Sequence, residues 1–408
     1  MRILMVSQWF TPEPIFKGLP FAKALKDRGH EVQVLTGFPN YPEGKLYPGY
    51  RQRMLQRESM DGVSVLRVPL YPSHDTSAVR RMANYSSFAI SAALIGTLAV
   101  RPADVMYVYH PPSTVALPAM VIGWMRRIPF VVDIQDLWPD TLDATGMVNS
   151  HFLRRMVDRW CQWTYRSAAR IVVLSPGFKA KLVERGVPAD KIDVIYNWCE
   201  ERQIGKRSRN EGLARELGLA GRFNVVFAGT MGKAQALDAV LEAAGLISNR
   251  HPQAQFVFIG GGIEVDRLKR VSRENRLPNV LFLPRRPVSE IGEILNLADV
   301  LLVHLKNDPL FRITIPSKIQ AYLAVGRPIL AGVQGDAADL VLRAEAGITC
   351  MPESPESIAR AVEKLVEIPR DQREAMGENG RRFYLRELAL PVGVGRFENV
   401  FQSAAAAN

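Results

Sequence analysis

Short apolar, β-branched runs recur along this chain at the spacing of an α/β protein. In the first half they are Ile3 to Val6, Val32 to Thr36, Val63 to Val68, Val105 to Tyr109, Phe130 to Ile134, Ile171 to Leu174 and Asp193 to Tyr196. Helix-like segments separate several of them: Phe21, Ala24, Leu25 and Arg28 follow three-and-four spacing and stop at Gly29. That alternation predicts a parallel sheet covered by helices. The pattern restarts with Asn224 to Ala228, Phe256 to Ile259, Val280 to Leu283, Val300 to Val303, Pro328 to Ala331 and Ile348 to Met351. Between the two series, Glu200 to Arg222 is polar and strongly charged and reads as a linker with a short helix. Two doubly wound domains are therefore expected, over residues 1–200 and 201–385. Residues 386–408 read as a C-terminal helix that packs back on the first domain, with a frayed Ala404 to Ala407 tail. Two such domains facing one another create a cleft at the carboxyl ends of their strands, so function is sought in the strand-to-helix loops.

The 408 residues hold 52 Lys plus Arg against 41 Asp plus Glu, a net charge of +11 that favours an anionic partner: phosphate, nucleic acid or an acidic membrane face. Cys161, Cys199 and Cys350 lie too far apart for a clustered cysteine site. The first residues, Met1 to Ser7, read as a strand rather than a targeting segment, and a cytoplasmic protein is expected. The longest apolar stretch, Phe88 to Val100, is short for a bilayer span and reads as a buried or interfacial helix.

Several loops carry candidate chemistry. Trp9 to Gly18 follows the first strand, where amides and Lys17 can face an anion or a sugar, or where prolines simply stiffen a connector. Asp133, Gln135, Asp136, Trp138 and Asp140 cluster after a very apolar strand. An exposed Trp138 beside carboxylates suits sugar recognition; the alternative is a core Trp138 with Asp136 or Asp140 capping a helix. His110 ends a strand at the same edge, either to bind substrate and move a proton or as a satisfied structural histidine. In the second half, Gly229, Gly232 and Lys233 open a helix as a diphosphate cradle or an ordinary tight turn, without the spacing of a P-loop. Gly260-Gly261-Gly262 permits close backbone approach. The segment from Leu310 to Pro328 sets Arg312 and Lys318 about a helix start at Pro316 or Ser317, a concentration of positive potential suited to a diphosphate.

Together these loops resemble the retaining nucleotide-sugar glycosyltransferases of family four. The likeness is carried by Arg28-Gly29-His30-Glu31-Val32, Asp136-Leu137-Trp138-Pro139, Gly229 to Lys233, and Ser317-Lys318 running into Tyr322 to Pro328. Gly37 to Pro42 with Asp133 to Pro139 is similar to the subgroup that builds O-antigen, capsule and exopolysaccharide units, fucosamine transferases among them. The resemblance implies the GT-B fold of two facing Rossmann-like domains, an N-terminal domain for the acceptor and a C-terminal domain for the nucleotide diphosphate. It implies donor contacts from Gly18, Gly229, Gly232, Lys233, Arg312, Ser317 and Lys318, with Asp136 near the reacting sugar; on the reading of their loops, His110 and Gln135 join Asp136 as catalytic candidates and Trp138 and Asp140 as acceptor-binding candidates. Two departures stand out: two glutamates usual in the family are replaced by Ile313 and Ala321, and a usual histidine by Gln135, which hydrogen-bonds a hydroxyl but is neither acid nor base.

The implied activity is transfer of a sugar, an N-acetylated deoxyhexosamine or a hexose, from a UDP-sugar to a polyprenyl-diphosphate-linked saccharide at the inner membrane face. No cofactor is expected, and with no Asp-x-Asp triplet no metal is needed. Basic clusters at Arg51, Arg53 and Arg57, at Arg80 and Arg81, and at Arg126 and Arg127, near Tyr85, Phe88 and Trp124, read as a peripheral membrane surface or as a solvated basic face. The rival readings are a UDP-sugar 2-epimerase of the same fold and a basic nucleic-acid-binding protein.

Overall fold

The computed structural model describes residues 1–74, 77–141 and 150–406. The chain forms two compact units, one of residues 1–196 plus the segment from Gly393 onward, the other of residues 197–392.

The first unit is built on a sheet of β1 (Arg2–Val6), β2 (Glu31–Gly37), β3 (Gln56–Met60), β4 (Val63–Val68), β5 (Val105–His110), β6 (Phe130–Ile134), β7 (Arg170–Val173) and β8 (Ile192–Val194). Their order across the sheet is β3-β4-β2-β1-β5-β6-β7-β8. All pairings are parallel except β3 with β4. The continuous apolar runs fit strands covered on both faces; Met5 in the centre lies opposite both Val34 and Tyr107. The edge strand β3, Gln-Arg-Glu-Ser-Met, alternates half-buried with exposed positions and carries no apolar run, so the pattern of hydrophobic residues does not reveal it.

The Leu19–Asp27 helix buries Phe21, Ala22 and Leu25. The Phe397 ring, on the helix Leu390–Ala406, packs tilted against Phe21 at 5.1 Å and edge-on to Tyr107 at 5.6 Å. Glu398 next to it pairs with Arg28 and His30. The chain's last helix is thus part of the first unit's core, and Ala404, placed by sequence in a frayed tail, is fully buried in it; Ala407 lies outside the described residues.

At the centre sits a fully buried ion pair, Lys17 Nζ to Asp133 Oδ2 at 2.6 Å. The same Asp133 oxygen accepts from Tyr107 Oη at 2.6 Å, and its other oxygen from Gln135 Nε2 at 2.6 Å. Lys17 also lies 4.9 Å from the Phe397 ring centre. A charge out of water is tolerated only with partners this close. Lys17 and Asp133, read from sequence as ligand-facing, are therefore interior residues that join the first loop to the end of β6.

The second unit carries β9 (Phe223–Ala228), β10 (Ala254–Ile259), β11 (Val280–Leu283), β12 (Val300–His304), β13 (Ile329–Gly332) and β14 (Gly347–Thr349), all parallel in the order β11-β10-β9-β12-β13-β14. Its core packs Phe227, Phe256 and Phe258 against Val240, Ala244 and Ile247 of the Asp238–Ile247 helix and Ile358, Val362 and Leu365 of the Pro355–Glu367 helix. Glu201 anchors the entry of the unit to its exit, accepting from Tyr384 Oη at 2.8 Å and the Leu390 amide at 2.7 Å.

Removing one member of the buried pair strands the other. Lys17→Met is expected to lower stability by about 3–5 kcal/mol. Denaturant unfolding followed by the tryptophans checks it, and an unchanged midpoint would refute the central role of the pair.

Candidate active site

In the first unit the candidate residues lie at the carboxyl ends of β1, β5 and β6. The loop after β1 is fixed by Glu13, whose buried carboxylate accepts from the amides of Phe10 at 3.0 Å and of Asn40 and Tyr41 at 2.8 Å each. Burial outweighs these bonds and pushes its pKa up to about 7. Glu13 therefore clamps the Trp9 loop to the loop after β2, a role that sequence inspection missed because nothing local distinguishes this carboxylate. Gly18 precedes the Leu19–Asp27 helix at a point where a Cβ would meet the Ile15 side chain at 2.7 Å. The loop carries Trp9, whose ring lies 4.8 Å from that of Tyr41 and 6.2 Å from that of Tyr85. These aromatics form a rim near Asp136; Tyr85, placed by sequence with the membrane surface, is raised chiefly by burial and then by the neighbouring Tyr41 and Asp136.

His110 ends β5 fully inside the protein, its ring edge-on to Trp138 at 5.8 Å. Its carbonyl accepts the Gln135 amide at 2.9 Å, which locks the turn after β6 to the end of β5. Burial lowers the imidazole to about 4, so the ring is neutral at physiological pH, and among the described residues its Nδ1 has no hydrogen-bond partner. Gln135 spends its amide NH2 on Asp133. Asp136 is half-buried, with its carboxyl raised by burial. His110, Gln135 and Asp136 are thus brought together at one sheet edge.

Two expectations are corrected here. Trp138, expected to be exposed for stacking on sugar, is 8% exposed and packs against His110. Asp140 is ion-paired with Arg185, which also donates to the Trp138 carbonyl at 3.0 Å. This pairing closes the turn and holds the Asp140 carboxylate on a protein cation.

In the second unit, glycines let two strand-end loops run in contact. A Cβ on Gly260 would fall on the Gly229 carbonyl, and one on Gly262 on the Met231 carbonyl; both glycines have φ near +140°, at 141° and 139°. The loops exchange bonds, Gly229 N to Ile259 O at 2.9 Å and Met231 N to Gly261 O at 2.7 Å. The Gly232 amide donates to Gln235 Oε1 at 2.9 Å. The amides of Gly229, Met231 and Gly232 are therefore engaged within the protein, and the expected phosphate cradle of glycine amides is corrected to a glycine-lined floor. Lys233 stands exposed at its end.

The positive charge over that floor comes from Lys318. The Ser317–Val325 helix, entered through Pro316, brings Lys318 Nζ to 3.7 Å from the Phe227 ring centre and 3.3 Å from where a Gly229 Cβ would lie. Among the described residues it has no ion-pair or hydrogen-bond partner, and burial lowers it to about 7. Ser317 is exposed in the first turn of this helix. Tyr322 ties the helix to the end of β9, its hydroxyl accepting from the Ala228 amide at 3.0 Å. Arg312 is exposed on the single turn Pro309–Arg312 and donates to Asn307 Oδ1 at 2.9 Å. Ala321 is buried, so no carboxylate stands at that position to meet a ribose.

Comparison with known proteins gives this arrangement its class. Residues 19–198 match the glycosyl transferase 4-like domain and residues 213–383 the glycosyl transferases group 1. The chain is similar to glycosyltransferase WbjE of Pseudomonas aeruginosa, 26% identical over 70% of this chain and 71% of the relative. It is also similar to WcaI of Escherichia coli, named as a glycosyl transferase of colanic acid biosynthesis, 24% identical over 91% and 93%. Among solved structures, HepE of Anabaena in complex with UDP and glucose superimposes with a TM-score of 0.69 at 15% identity, covering 98% of this chain and 99% of that one. The fold is GT-B. The chain belongs to the glycosyltransferases, with a family-four-like first domain and a group 1 second domain. These matches do not favour the epimerase reading.

Two outcomes follow from the electrostatics. The His110 ring, lowered to about 4, is expected to show no titration in histidine-labelled NMR spectra down to about pH 5. For Lys318, a folded pKa near 7 against 10.5 in the open chain means that the folded state holds fewer protons than the unfolded one between those values. Stability of the wild type therefore rises with pH across that window. Lys318→Met should raise the melting temperature most below pH 7, with the gain vanishing towards pH 10.5. A gain independent of pH would show that the ammonium is not desolvated.

Proposed function

We propose that this glycosyltransferase moves a sugar from a UDP-sugar to a saccharide carried on a polyprenyl diphosphate, at the cytoplasmic face of the membrane, in surface-polysaccharide synthesis. The observation that carries the donor half is Lys318, a cation with no ion-pair or hydrogen-bond partner among the described residues, set over glycine loops at the carboxyl end of β9. Such a group is stabilised when a dianion arrives, and a leaving diphosphate is the anion this chemistry generates. The ligands in the HepE structure, UDP and glucose, support the nucleotide, and the colanic acid role in the name of WcaI supports the class of product.

The reaction proposed is retaining and independent of metal. The bond from the anomeric carbon to the diphosphate oxygen breaks with its electron pair going to UDP, while an acceptor hydroxyl forms its bond to the same face of that carbon. The hydroxyl proton passes to the departing phosphate oxygen. Lys318, with Lys233 and Arg312 as exposed cations, opposes the charge that develops on the diphosphate. In the first unit Asp136 and the carbonyl oxygen of Gln135 offer acceptors for sugar hydroxyls. His110, neutral and buried, serves as a hydrogen-bonding group rather than a charged acid. The donor sugar, an N-acetylated deoxyhexosamine as in the fucosamine transferases or a hexose, is read out by the products of the assay.

The test is UDP release from a panel of UDP-sugars, with and without a lipid-diphosphate-linked N-acetylhexosamine, in the presence of a chelator. Release that requires acceptor, persists with chelator and falls on the order of 10²–10³-fold in Lys318→Met is expected. Interconversion of the sugar without acceptor, or loss of turnover on chelation, would reject the proposal. In the unliganded protein, UDP affinity should decline roughly tenfold per pH unit above about 7, where Lys318 loses its proton, and Lys318→Met should flatten that slope.

A further inference from the structure

Three helices of the first unit leave an outer surface that is unusual for a layer facing water. The first runs from Ala78 to Ser91 and continues through a π turn, Ala92–Gly96, into Thr97–Ala99. The second is Ala116–Arg126 and the third His151–Ser167. Each is followed by a strand lying further along the sheet in the same direction, so right-handed crossovers put all three on one face. They pack on one another: the middle helix contacts both of its neighbours. At one end, Thr114 Oγ1 donates to the Tyr85 carbonyl at 3.4 Å and Trp160 Nε1 to the Ser113 carbonyl at 3.2 Å. At the other end the Arg126 guanidinium donates to the Thr97 carbonyl at 2.6 Å.

The inner side of the first helix is ordinary core. Asn84 is buried in hydrogen bonds with Gln8 and Asn40, Phe88 is fully buried, and Gly96 abuts Leu35. Phe88, which the sequence placed near the membrane surface, is therefore core. The outer side should be polar. Instead Ile90, Leu94 and Leu98 form an exposed stripe at intervals of four, with Leu98 81% exposed, and Trp124 on the next helix is 83% exposed. Phe152, at the start of the third helix, is 74% exposed. About half of the exposed large hydrophobic side chains among the described residues belong to these three helices.

The charge on the same helices is nearly all positive. The first two carry Arg80, Arg81 and Arg126, with Arg127 directly after, and no acid. The third helix adds Arg154, Arg155, Arg159 and Arg166 against Asp158. Exposed apolar side chains amid arginines with almost no carboxylates match a surface that is negative at its skin and apolar beneath. Residues 79–99 are also long and apolar enough by composition to span a bilayer, but their buried inner side is committed to the sheet, so contact is lateral and shallow.

We infer that the outer face of these three helices is the surface by which the enzyme lies on an anionic lipid bilayer, Leu94, Leu98, Trp124 and Phe152 entering the interface while the arginines meet lipid phosphates. This deepens the proposed function by naming the partner of the acceptor-binding unit. The helix start at Ala116 follows His110 in the chain, and the third helix begins beyond the Asp136 loop, so one end of this face adjoins the candidate site.

The test uses the full chain with sedimented vesicles, phosphatidylcholine alone or mixed with phosphatidylglycerol, with neither donor nor acceptor present. Binding to the anionic vesicles that weakens with salt is expected. Leu98→Glu combined with Trp124→Glu should lower the partition coefficient on the order of tenfold or more, as should Arg155→Glu combined with Arg159→Glu. Ile263→Glu, an equally exposed position on the other unit, should change nothing, and all variants should keep the wild-type melting temperature. UDP release with detergent-dispersed acceptor separates this inference from the proposed reaction, because the surface variants should retain it. Absence of vesicle binding, equal binding to both lipids, or undiminished binding by the Leu98/Trp124 variant would overturn the inference. So would a concentration-dependent dimer that the same variant abolishes, since the face would then belong to a second copy.

Discussion

The first unit is organised around a charge buried where water cannot reach it. Lys17 and Asp133 meet at 2.6 Å with neither side chain exposed, and Tyr107, Gln135 and Phe397 complete their surroundings. Through this one carboxylate the loop after β1, the centre of β5, the turn after β6 and the chain's last helix share a common support. The residues at the sheet edge are aimed by it: Gln135 gives its NH2 group to Asp133, and its backbone fixes the distance to His110. A buried pair of this kind contributes little net stability, but it tolerates no substitute geometry, and that intolerance positions the site.

Most of the fold was legible because parallel strands covered on both faces must be apolar throughout, and such runs need no tertiary knowledge to find. The strands the sequence could not reveal were those free of that constraint. β3 pairs at an edge, carries Gln56, Arg57 and Glu58, and is defined by its partner β4 rather than by its own residues. The sequence placed a last helix over residues 386–408; in the structure it runs Leu390–Ala406 and joins the first unit only from Gly393, and the rings that receive it, Phe21 and Tyr107, were not foreseen.

The site was legible by location more than by role. Asp133, Asp136 and Asp140 are the same residue type within one short segment, yet each has a different fate. Asp133 meets a lysine 116 residues away, Asp140 an arginine 45 residues away, and Asp136 keeps a half-buried carboxyl at the rim. No local pattern contains those partners. The glycine loops of the second unit show the same limit: their spacing announced close backbone approach, but the approach is of one loop to the other, which engages amides expected for a phosphate. Lys318, by contrast, was recognisable from sequence as a helix-entry cation, and the ring of Phe227 beneath it was not.

The path of the chain bears on how the molecule is made. It leaves the first unit near residue 196 and re-enters it near 393. On the ribosome, the early strands emerge long before Phe397 and Glu398, so Phe21, Tyr107 and the Lys17 ammonium wait without their final cover while the whole second unit is synthesised. Domains generally fold in the order of their synthesis. Here the second unit is complete at residue 392 while the first still lacks a wall, so the part of the enzyme translated first is the part finished last.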